Sequence, residues 1–204
     1  VLERQAGWLA LQEALLTELP NSLEDVSNQY ENIDGLAWIS RIYAADNYLH
    51  AVQSKKVLAV GIDEEEQDFS DEIRDQYLAS AEALYKQVEL MTKEGNKFET
   101  SDIKSRILIQ YTALCGQAAI EEARGNIESS KEKYTEAANV TLNHYPSLSA
   151  QANMRLNTVE NYISKDSLGK KINFKSNESD FKKIGVNNSL NELIQSKSEI
   201  SFDK

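Results

Sequence analysis

Cysteine, histidine, proline and methionine are scarce in this chain: its 204 residues hold one Cys, two His, two Pro and two Met. The lone Cys115 excludes an intrachain disulfide framework and leaves the compartment unreadable from cysteine pairing. A zinc site wants several Cys or His ligands at short spacings, and neither His50 nor His144 stands in such a set. There is no glycine-rich phosphate loop and no nucleophile elbow. Carboxylate neighbours such as Glu121 and Glu122 are ordinary on exposed helix faces, so the chain reads as noncatalytic, with no catalytic residue, metal or cofactor. It also lacks a run of about 18 apolar residues, the length that crosses a bilayer as a helix. Basic excess is missing too: 22 Lys and Arg stand against 33 Asp and Glu, net −11. Nucleic acid phosphates favour a clustered basic face, so no nucleic acid partner is expected.

What is present points to helices. Two prolines and eight glycines leave few breaks, while Ala, Leu, Glu, Gln and Lys are good helix formers. Trp8, Leu9, Leu11, Leu15 and Leu16 predict an apolar stripe on a first helix that stops at Pro20. Ser22 with Asp25 three positions on predicts a capped short helix from there. A helix over 35–53 carries Leu36, Ile39, Ile42, Tyr43, Tyr48 and Leu49, and one over 69–94 carries Ile73, Tyr77, Leu78, Ala81, Leu84, Tyr85 and Val88. Between them, Asp63 to Glu66 with Asp68 form an acidic stretch over 61–68. It lacks the alternating ligands and central glycine of an EF-hand and reads as a solvated loop. Ser101 or Thr100 is expected to cap the next helix, whose buried face is Ile107, Leu108, Tyr111, Leu114 and Ala118. A last helix over 147–164 carries Ala152, Leu156, Val159, Tyr162 and Ile163.

The stretch from Ile103 to Ser164 adds a finer pattern. Ala118, the Gly125-Asn126 turn, Tyr134 and Ala137 fall in the order and spacing of a tetratricopeptide unit, in which small residues let two helices approach. Leu114 stands where tryptophan is common, Ser130 replaces an alanine, and Pro146 arrives about four residues late, which predicts a lengthened second helix. Ile39, Tyr43 and Ala45 recur as Ile107, Tyr111 and Ala113 at an offset of 68, twice the repeat length of about 34. The chain thus resembles tetratricopeptide-repeat proteins: an all-α, tetratricopeptide-like α-solenoid of antiparallel helix pairs, with an irregular helical bundle as the plainer alternative. Residues 1–164 form the helical domain, divided into N-terminal helices 1–34, a degenerate pair 35–94, the best unit 101–146 and a capping helix 147–164.

Residues 165–204 change character, with seven Ser, five Asn and eight Lys against six acidic residues. They read as a polar, basic, low-complexity tail, extended or disordered.

The order of helices over about 22–164 is similar to bacterial proteins in which one N-terminal membrane helix carries an exported tetratricopeptide domain, such as the ancillary subunit of the Sec translocon. That resemblance implies a membrane-associated interaction protein of the periplasm or cell envelope, and the start at Val1 fits an upstream tag, signal peptide or anchoring helix. It implies a groove that binds another protein through Ala44, Asn47, Ala51, Thr112, Cys115, Ala119 and Glu122, with Ala118, Gly125, Ser130, Tyr134 and Ala137 packing the repeat. The chain reads as a noncatalytic scaffold or adaptor. The alternative is a permanent structural subunit of a larger complex, held through the tail.

Overall fold

The computed structural model describes residues 2–33, 35–58, 68–94 and 102–166, with side chains through Val159. Among the described residues seven helices follow one another: α1 (Leu2–Thr17), α2 (Pro20–Gln29), α3 (Leu36–Ser54), α4 (Asp71–Glu94), α5 (Ile103–Arg124), α6 (Ile127–Thr141) and α7 (Pro146–Asp166). No strand occurs among the described residues. The expected acidic loop up to Gln67 and the tail beyond Asp166 lie outside them, as do Ser101, Thr100 and the side chains of Tyr162 and Ile163.

Consecutive helices pack side by side, and α3 also touches both α1 and α5. The central pair is buried on several sides. α3 carries Leu36, Trp38, Ile39, Ile42, Ala44 and Ala45 inside, all essentially without exposed surface, and α5 contributes Ile109, Leu114, Ala118 and Ile120. The α4 stripe follows the helical period as expected, with Tyr77, Leu78, Ala81, Leu84, Tyr85 and Val88 buried. Close approach depends on small residues. A Cβ on Gly116 would overlap three carbons of the Tyr85 ring, so α5 meets α4 at a contact only hydrogen fits.

The N-terminal expectations need correction. Helix α1 buries Gly7, Leu11 and Ala14, whereas Leu9 and Leu16 are exposed and Trp8 and Leu15 half-buried. The reason is again proximity: a Cβ on Gly7 would come within 2.7 Å of Leu36, so the face with the smallest side chains faces α3. Pro20 does not end α1; it opens α2 from its first turn, where its missing N–H costs nothing. The break between them is Glu18, at a left-handed φ of 56°. Ser22 therefore lies inside α2 and caps nothing, and no side chain caps that helix.

Helix α5 starts on Asp102, which accepts from the Lys104 N–H, and closes on Gly125 at φ 81°. There Gly125 N–H donates to Glu122 and Asn126 N–H to Glu121, the paired bonds that satisfy a helix end when one residue turns left-handed. Nothing crowds Gly125, so its φ alone requires glycine. The late Pro146 does not lengthen α6: a separate turn of Leu142–Tyr145 fills the gap, with Tyr145 N–H bonded to Thr141 at 2.7 Å.

Candidate functional site

The chemistry-bearing side chains gather along one face of α5 and spread to its neighbours. Tyr111, Cys115, Ala119 and Glu122 recur at intervals of four and three, which stacks them on one side of a helix. At the far end of that face, Glu122 accepts the Tyr134 hydroxyl from α6 at 2.6 Å. It also takes two bonds from the α7 guanidinium of Arg155, Nη2 at 2.8 Å and Nε at 3.2 Å. Burial pushes the Tyr134 hydroxyl well above its usual range, and the Glu122 charge pushes the same way. Burial disfavours the Arg155 charge, but Tyr134 and Glu122 outweigh it and hold the guanidinium firmly protonated. One carboxylate thus ties three successive helices.

Cys115 sits mid-face, hydrogen-bonded with Tyr111, its thiol pushed up to about 12 by burial. It is a packed, unreactive thiol at neutral pH. Beyond it, the Tyr85 hydroxyl of α4 donates to Asp46 Oδ1 on α3. Asp46 as a residue is half-buried, yet its Oδ2 is cut off from water and meets no donor among the described residues. Desolvation raises this carboxyl to about 6, against the opposing effect of the Tyr85 bond. Tyr43, one turn before Asn47, is pushed up to about 12 by burial and by the Asp46 charge.

A second cluster lies where α4, α5 and α6 meet. Glu89 accepts Lys93 at 2.6 Å, Gln117 at 2.6 Å and Lys133 at 3.2 Å. Burial pushes its carboxyl up, but these donors win and hold it below the usual range. Among the described residues, no group of three His, Cys, Asp or Glu is placed to hold a metal ion, and no helix is long and apolar enough to cross a membrane.

The expected groove residues divide sharply. Ala44, Ala51 and Thr112 are at most 3% exposed, because α3 and α5 touch other helices on those sides, so they are packing residues and offer a partner no surface. Cys115 and Glu122 are each 9% exposed, and Glu122 is committed to Tyr134 and Arg155. Only Asn47 and Ala119 of that set stay half-buried. The packing residues Ala118, Ser130, Tyr134 and Ala137 are all buried, with Gly125 at its turn. Of the two matched triplets, Ala45 and Ala113 share full burial, but Tyr43 is half-buried where Tyr111 is buried.

Sequence reasoning missed Asp46, Tyr85 and Arg155 as a group. Asp46 did carry a signal, as the one acidic residue inside α3. No protein-family model, no curated protein and no solved structure matches the chain.

Proposed function

We propose that this chain is a noncatalytic protein-interaction scaffold of tetratricopeptide type, in which the odd-numbered helices form one layer and present a surface to a protein partner. The observation that carries it is the packing order: each helix lies against the next, while α3 also contacts α1 and α5. A two-layer array of helix pairs builds such contacts, and arrays of this kind offer extended binding surfaces.

Within that surface the contact residues are those with area to give. Asn47 on α3 and Ala119 on α5 are half-buried, whereas Glu122 is committed to Tyr134 and Arg155. Tyr43 flanks Asn47 one turn away and supplies an aromatic face. Recognition then rests on pocketed side chains of an extended or helical segment and on no chemistry. The same proposal includes a location in the bacterial envelope, which rests on the resemblance of the sequence to exported, membrane-anchored proteins.

The experiment is purification of the full-length protein, crosslinked before lysis, beside Asn47→Arg and Ala119→Arg variants. The expected outcome is a protein partner recovered with the parent and lost with both variants while helical circular dichroism is unchanged. Equal recovery with all three overturns the assignment.

A further inference from the structure

Arg41 on α3 is a buried cation without an anion beside it. The residue is 9% exposed, and among the described residues no carboxylate lies within 4.0 Å of its guanidinium. Its hydrogen bond there runs instead from Nη1 to the thioether sulfur of Met91 on α4, at 3.3 Å. Buried charges are ordinarily paired, whereas a thioether is a weak acceptor that leaves most of the guanidinium's donors unused. Burial disfavours the charge, and the more distant Glu31 and Glu24 offset only part of that.

The side chain against Arg41 is one that chemistry can turn into a strong acceptor. Met91 is half-buried, so a solute as small as hydrogen peroxide can reach it. Oxidation of a methionine ordinarily disrupts packing, because it makes an apolar side chain polar. Beside Arg41 the sign reverses. The new oxygen stands next to a desolvated cation with donors to give, and hydrogen bonds with an ionised donor are about twice as strong as neutral ones.

We propose that Met91 is a site of reversible oxidation by a peroxide, at which the sulfoxide oxygen accepts from Arg41 and fastens α4 to α3. A sulfur lone pair attacks one peroxide oxygen, so that the S–O bond forms as the O–O bond breaks. The departing hydroxide takes the proton left on the transferred oxygen and becomes water; sulfur is oxidised and the peroxide reduced. A thiol-dependent sulfoxide reductase restores the thioether.

The test uses the full chain with Met154→Leu, which leaves Met91 as its one methionine. It is treated with hydrogen peroxide while folded, the added oxygen is located by peptide mass spectrometry, and urea unfolding is measured before and after. The same is done with Arg41→Leu added, or with Arg41→Gln, which keeps an uncharged donor, if the leucine variant does not fold. Met91 should take up one oxygen in the native state. Oxidation should then favour the folded state about tenfold more with Arg41 than without it, the difference between a charge-assisted hydrogen bond and a weak neutral one. No oxygen on Met91 in the folded chain, or the same change in the folding equilibrium in both backgrounds, overturns the proposal.

Discussion

Replacing Arg155 by methionine removes the charge that balances Glu122 while keeping most of the aliphatic stem in place. The Glu122 carboxylate, with only 11% of its side chain exposed, then keeps the Tyr134 hydroxyl as a donor but has lost its cation. Breaking a buried pair by deleting one partner costs about 3–5 kcal/mol. Because Arg155 keeps 21% side-chain exposure, the lower end, about 3 kcal/mol, applies. At 2–4 °C per kcal/mol for a domain of this size, the melting temperature should fall by about 6–12 °C. Adding Glu122→Gln removes the stranded charge, so the double variant should recover much of the loss, with a coupling of about 1–3 kcal/mol. Urea unfolding followed by far-ultraviolet circular dichroism gives both values, and an unchanged slope would show that only stability moved. Lys86→Met is the control: it breaks an ion pair with Glu82 in which the lysine is 60% exposed, expected to contribute less than about 1 kcal/mol. If Arg155→Met loses no more than this control, or the double variant loses the sum of the singles, Glu122 does not tie α5, α6 and α7 as described.

Three further outcomes follow from the other contacts. The Asp46 carboxyl, raised to about 6 in the folded chain, favours folding fully below the unfolded value near 3.9 and loses that contribution as pH rises through 6. The stability of the parent relative to Asp46→Asn should thus fall by about 2 kcal/mol between pH 4 and pH 7, measured by urea unfolding across pH; a constant difference refutes it. Gly116→Ala drives a methyl into the Tyr85 ring and should cost roughly 2–3 kcal/mol, whereas Gly125→Ala meets only the positive φ and should cost about 1 kcal/mol; equal losses in thermal melts would contradict the close contact. Cys115, its thiol raised to about 12, should resist a disulfide reagent at mildly alkaline pH and react only on unfolding, with rapid native labelling as the contrary result.

Much of the fold was legible in the sequence because period and turn chemistry are local. Helix α3 was expected over 35–53 and runs Leu36–Ser54, and α4 over 69–94 runs Asp71–Glu94. The Gly125-Asn126 turn was read from two residues whose backbone roles are intrinsic to them. In helix α1 the large apolar residues do not mark the buried face. Tertiary contact chose Gly7, Leu11 and Ala14 instead, since only a side without a large side chain admits Leu36 and Ile33 at that distance. Pro20 misled for a related reason, as a proline is tolerated both after a helix and at the first turn of one.

The site was less legible. Glu122 meets Arg155 across 33 residues and Asp46 meets Tyr85 across 39, and no local spacing encodes partners so far apart. Asn47 and Ala119 were separated from Ala44, Ala51 and Thr112 by burial alone, which depends on which neighbour covers which side of a helix.

The scaffold assignment is tested most directly by placing a photocrosslinking amino acid at Asn47 or Ala119 in the full-length chain in its own cells. Exposed Lys86 on α4 and Thr135 on α6 serve as comparison sites on the even-numbered helices. The account predicts that Asn47 and Ala119 both crosslink to the same protein and that Lys86 and Thr135 do not. Crosslinks confined to Lys86 and Thr135, or unrelated adducts at the two odd-helix sites, would contradict a binding surface on α3 and α5.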